Sequence, residues 1–98
     1  MASERFTVGE YIRDELDARG WTTADCAARM GGEANIDELT LDLHLAAIDA
    51  PEDHAIRRGK MGVSTACGLE RALGIPAKTW LVLDRRYHEN RDKTDASV

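Results

Sequence analysis

The side chains best suited to metal or covalent chemistry are two thiols, Cys26 and Cys67, and three imidazoles, His44, His54 and His88. A structural zinc site wants Cys and His ligands in close pairs. No Cys-x-x-Cys spacing occurs, and no imidazole falls at ligand spacing from either thiol. A cysteine nucleophile needs a nearby base and an exposed, electropositive setting. Cys26 instead follows Asp25, and both thiols stand among alanines and leucines, where reduced cysteines pack as small apolar residues. No glycine-rich loop follows a strand to cradle a nucleotide. These residues point away from an enzyme and imply neither a cofactor nor a bound metal.

Charge offers a second kind of chemistry. Thirteen Lys and Arg stand against eighteen Asp and Glu, a net charge of −5, whereas a duplex binder gains most of its affinity by neutralising phosphates. The imbalance is concentrated. From Asn35 to Ala55 the chain carries Asp37, Glu38, Asp42, Asp49, Glu52 and Asp53 and no Lys or Arg. Immediately afterwards comes the basic cluster Arg57-Arg58-Gly59-Lys60, which reads equally as a phosphate contact or as a solvated loop.

The elements that must position these residues are helical. Ninety-eight residues make one domain with a single modest core. Thr7-Val8-Gly9-Glu10 has the form of a capping box, opening a helix to about Arg19 with Val8, Ile12 and Leu16 buried and Tyr11 beside them. Gly20 stops it. Trp21 enters the core, and Thr22-Thr23 cap a second short helix through Met30, with Ala24, Cys26, Ala27 and Met30 as its apolar positions. Gly31-Gly32 permits a sharp turn. Near the other end, Ser64 or Thr65 caps a helix ended by Gly74. Pro76 then fits the first turn of a last helix, whose Trp80, Leu83 and Tyr87, widened by Leu81 and Val82, close the core.

Between these lies Glu33 to Arg58. Asn35 can cap a helix to about Ile48, with Ile36, Leu39, Leu43 and Ala47 on one side and Leu41, Leu45 and Ile48 broadening it. Leu39 to Leu45 also alternates as a half-buried strand would. Helix is preferred because no second strand stands ready to pair, yet the alternation leaves both a dimer helix and an added strand open. Residues Glu52 to Arg58 suggest an exposed helical turn with acids first and arginines last. Residues 89–98 read as a flexible polar tail. No apolar run approaches the ~20 residues that cross a bilayer, and the N-terminus lacks a signal peptide's apolar region, so a cytoplasmic protein without membrane attachment is expected.

Two stretches resemble the HigA-type antitoxins of the Xre/Cro helix-turn-helix superfamily. Gly59-Lys60, Leu69-Glu70-Arg71-Ala72-Leu73-Gly74, Pro76, Trp80-Leu81-Val82-Leu83 and Tyr87 match the end of such chains. Val8-Gly9-Glu10 and Ala24 to Gly31 match the beginning. The resemblance implies an all-α fold, a small five-helix bundle of the lambda-repressor-like type. It would occupy residues 1–88, with 33–58 as a divergent, acidic insertion in the recognition-helix region. It also implies a transcriptional regulator, bacterial or phage, that binds operator DNA as a homodimer. Carried over by position, Thr22 and Thr23 would touch phosphate at a helix start. Asn35, Thr40 and His44 would be available for bases, with Arg57, Arg58 and Lys60 as a backbone clamp.

The six carboxylates work against that surface, since a groove-bound helix carrying them meets phosphate repulsion along its length. The competing expectation is a protein-interaction module on the same scaffold. In it the acidic, leucine-rich segment 35–53 binds a basic protein partner such as a toxin.

Overall fold

The structure, a computed structural model, describes residues 7–50 and 59–96, with side chains as far as Asn90. Among them the chain forms five helices and no strand: α1 (Val8–Arg19), α2 (Thr23–Arg29), α3 (Ala34–Asp49), α4 (Val63–Leu73) and α5 (Ala77–Ala96). The all-α expectation holds, and residues 39–45 are helix. The expected turn from Glu52 to Arg58 lies outside the described residues.

The first helix follows its local signals. The Glu10 carboxylate accepts the Thr7 amide at 2.9 Å, Gly20 ends the helix in the left-handed conformation, and Val8, Ile12 and Leu16 are at most 3% exposed. Its path across α3 depends on Gly9. A Cβ there would run into the backbone carbonyl of His44, so the two helices approach as closely as they do because that position has no side chain.

Three expected helix starts shift. The Glu33 carbonyl already accepts the Asp37 amide at 2.8 Å, so Glu33 holds the cap position and Asn35 falls inside the first turn of α3. Gly62 plays the same part for α4, its carbonyl accepting from Ala66 at 3.1 Å, which leaves Ser64 and Thr65 in that helix rather than capping it. Pro76 stands just before α5, its carbonyl accepting from Thr79 and Trp80. The exposed amide of Ala77 is satisfied from another helix, by Glu70 Oε1 of α4 at 2.7 Å. At α3 and α4 the backbone begins its turn earlier than the best capping side chain.

The core gathers Ile12, Cys26, Met30, Leu41, Leu69 and Trp80, all below 2% exposed. Two sequence expectations are corrected at its edge. Cys67 is only half-buried, and Trp21 sits at the rim, where the Arg29 guanidinium lies 4.3 Å from its ring centre and that of Arg19 5.6 Å. Ala24, expected among the apolar positions of α2, is exposed.

On α5 the buried positions are Trp80, Asp84, Tyr87 and His88, while Leu83 is half-buried. A carboxylate takes a core position because it has work there. Asp84 Oδ2 accepts the Met61 amide at 2.9 Å, its Oδ1 lies 3.4 Å from His88 Nε2, and that nitrogen is 3.2 Å from the Gly59 carbonyl. The pair thus pins the segment before α4 onto α5. Past His88, where the sequence suggested a tail, α5 runs on to Ala96.

Candidate functional site

The surface to be judged is built from α2, the turn after it, and α3. Thr22 closes α2 with a reciprocal box: its hydroxyl accepts the Asp25 amide at 3.1 Å and its own amide donates to Asp25 Oδ2 at 2.9 Å. The Thr22 amide bonded to this carboxylate, and after it the Thr22 hydroxyl beside it, hold the Asp25 carboxyl below its ordinary range. Met30 to Glu33 separate α2 from α3, and Gly31 turns the chain with φ of 80°, a conformation that favours glycine.

The three threonines expected to touch DNA are otherwise engaged. The Thr22 hydroxyl serves its own helix, and the Thr23 hydroxyl donates to Asp42 Oδ1 at 2.8 Å, placing a carboxylate of α3 beside the start of α2. A phosphate approaching that helix start would meet this anion first. Thr40 donates its hydroxyl back to the Ile36 carbonyl at 2.9 Å. His44 is half-buried, and burial pushes its imidazole below the ordinary value of 6.5, with Asp84 opposing and His88 assisting the shift. Asn35 is exposed in the first turn of α3, and Lys60 is exposed beyond it. Arg57 and Arg58 lie outside the described residues.

The arginines near α2 are structural. Arg29 donates to the Asp25 carbonyl at 2.7 Å, Arg71 to the Met30 carbonyl at 2.6 Å, and Arg19 to the Leu73 carbonyl at 3.2 Å. Arg71 and Arg19 each bridge a helix end, where free carbonyls attract cations, and Arg29 folds back on its own helix. None of the three guanidiniums is left with its full set of donors for phosphate.

What α3 does present is apolar. Ile36 and Leu39 are each 61% exposed and Leu43 is 50% exposed, and Ala46 is also exposed. Their spacing puts them on one stripe. The sequence sets this stripe and Ala47 on one side of the helix; the core takes Leu41 and Ala47, with Leu45 and Ile48 half-buried, and leaves the stripe outside. A helix packed on one side of a small bundle has only one side to bury, and Leu41 and Ala47, with Leu45 partly covered, fill it. The signal was present in the sequence as an apolar surface wider than one interface consumes.

The two edges of the stripe differ. Glu38, Asp42 and Asp49 recur along one edge at helical spacing. Along the other, Thr40, Leu43 and His44 of α3 join Gly59 and Lys60 around a half-open pocket of about 280 Å³. No helix is long and apolar enough to cross a membrane, and no group of three or more His, Cys, Asp or Glu could hold a metal ion, among the described residues.

Comparison of the chain with protein-family models, with curated proteins and with solved structures gives no match.

Proposed function

We propose that this chain is a protein-interaction module on a helix-turn-helix-like scaffold, and that it binds protein through the outer face of α3. One observation carries the reading: Ile36, Leu39 and Leu43 stand half or more exposed on one stripe, beside a row of carboxylates and with no Lys or Arg on the helix. Exposed apolar surface that is contiguous and rimmed by polar residues is typical of interaction sites. The same face suits DNA badly, because four carboxylates, Asp37, Glu38, Asp42 and Asp49, would travel into the groove with the helix.

The test is site-specific photo-crosslinking in cells. A photoreactive residue in place of Leu39 should give a discrete protein adduct, lost when Leu43→Glu is added, while the same group in place of exposed Arg13 on α1 gives none. Equal labelling from both positions, or none from position 39, would remove the reading.

A specific arrangement favours a second function, the DNA-binding regulator that the resemblance implies. A seven-residue α2, a four-residue connection with Gly31 at φ 80°, and α3 follow one another with helix-turn-helix spacing. Asn35 is exposed at the start of the third helix, where a base-reading residue would stand. A salt-titrated binding assay on the DNA upstream of its own gene, against an unrelated duplex, decides it. Preference for its own DNA, lost with Asn35→Ala and weakened uniformly by Lys60→Ala, would establish the regulator.

A further inference from the structure

The outer face of α3 asks for a partner helix that is apolar along its middle and basic along one edge. The chain itself carries one. On α5, Lys78, Arg85 and Arg86 are exposed around half-buried Val82 and Leu83. Lys78, Thr79, Val82, Leu83 and Arg86 surround a shallow depression of about 230 Å³. Over the solvent side of α5 from Ala77 to Asn90 the cations Lys78, Arg85 and Arg86 are opposed only by Glu89, since Asp84 is buried against Met61 and His88. The outer side of α3 has carboxylates and no Lys or Arg at all.

We propose that the two faces are halves of one contact, and that the α3 stripe of one copy docks on α5 of a second copy of this chain. The inference rests on the interaction-module reading and names the partner. Leu39 and Leu43 enter the depression floored by Val82 and Leu83, and Lys78 and Arg86 on its rim meet the Glu38–Asp42–Asp49 edge. The opposite edge of the stripe, beside Lys60, faces away from the partner's cations, which fixes which side of α3 meets them.

Like-with-like pairing is disfavoured by the same charges. Two α3 helices face to face would bring the Glu38, Asp42 and Asp49 edges of both copies together with no cation between them, and like charges juxtaposed across an interface cost several kcal/mol. Within α3, Glu38 and Asp42 are already a like-charged pair four residues apart, an arrangement that weakens an isolated helix and that an arginine from a second copy relieves. Made reciprocally, α3 to α5 and α5 to α3, the contact closes a two-fold dimer in which residue i meets j and j meets i.

The experiment is sedimentation velocity of the purified full chain across a concentration series, at low and at high salt. Association that strengthens with concentration and weakens with salt is expected. Leu39→Glu and Arg86→Glu should each weaken it by about tenfold or more. The decisive arm is a mixture of Glu38→Arg protein with Arg86→Glu protein. Each alone should sediment as a monomer, and the mixture should recover association to within about threefold of the parent chain, because both contacts of the mixed dimer are then complementary, one with native and one with exchanged charges. Circular dichroism of each variant reports that the fold is kept.

A chain that stays monomeric at every concentration would overturn the proposal, as would association indifferent to Arg86→Glu or a mixture that fails to recover. If the cellular adduct at position 39 nevertheless forms, the interaction module stands and its partner is another protein. If neither forms, both fall.

Discussion

Helices α1 and α3 cross each other at Gly9 and His44, yet they use their surfaces differently. On α1 each apolar residue of the stripe is consumed by the core: Val8, Ile12 and Leu16 are nearly inaccessible, and Arg13, Asp14 and Asp17 face water. On α3 the core takes Leu41 and Ala47 and leaves Ile36, Leu39 and Leu43 outside. Folding alone accounts for the first helix. The second has apolar surface that the fold does not use, and in a net-acidic chain of 98 residues that surplus is the best clue to what the protein meets.

The contrast can be broken most strongly at its buried half. Ile12→Ala removes a fully inaccessible side chain and should cost about 2–5 kcal/mol of stability, read from urea unfolding. A loss under about 1 kcal/mol would mean that the α1 stripe is not core. Gly9→Ala strikes the crossing itself. Because the added methyl meets backbone of α3 rather than a movable side chain, the helices must separate, at about 1–3 kcal/mol or more.

Next in size is the polar tie on α5. Asp84→Leu strands the buried Met61 amide and should cost about 1–3 kcal/mol, whereas Asp84→Asn, which keeps an acceptor, should cost less in the same unfolding assay. A pH effect follows from His44. Its imidazole binds a proton less readily folded than unfolded, so the unfolded chain takes up more protons as pH falls below about 6.5. Stability should therefore be unaffected by this residue above that pH and decline below it. Thermal melts from pH 7.5 to 5 should show a decline that is shallower in His44→Asn.

The smallest effect on stability belongs to the exposed half. Leu39→Glu sits on the outside of α3 and should leave the unfolding free energy, measured at concentrations where the parent chain is monomeric, within about 0.5 kcal/mol of the parent while removing association. A large stability loss there would turn the stripe into core and dissolve the comparison with α1.

Local signals in the sequence suffice where one residue decides a conformation. Glu10 reaches back to Thr7, Gly20 and Gly74 end their helices left-handed, and Thr22 opens α2. They do not suffice where two candidates compete within a turn, as at Asn35 against Glu33 and at Ser64 against Gly62. A backbone carbonyl that already accepts the first helical amide settles the boundary regardless of the better side-chain cap. The expected site residues show the same limit. Thr22, Thr23 and Thr40 have the right chemistry for phosphate or bases, but their hydroxyls are spent on Asp25, Asp42 and Ile36, partners that spacing alone could not assign.

By itself the sequence determined the helical class, the stripe of α1, the glycine stops and the excess of carboxylates between Asn35 and Ala55, because each depends on neighbours within a few residues. Tertiary structure alone decided which side of α3 is core, that Asp84 and His88 hold Gly59 and Met61, and that Glu70 caps α5 from another helix. Those outcomes depend on which surfaces meet across tens of residues. An apolar face carries the same periodicity whether it is covered or left open.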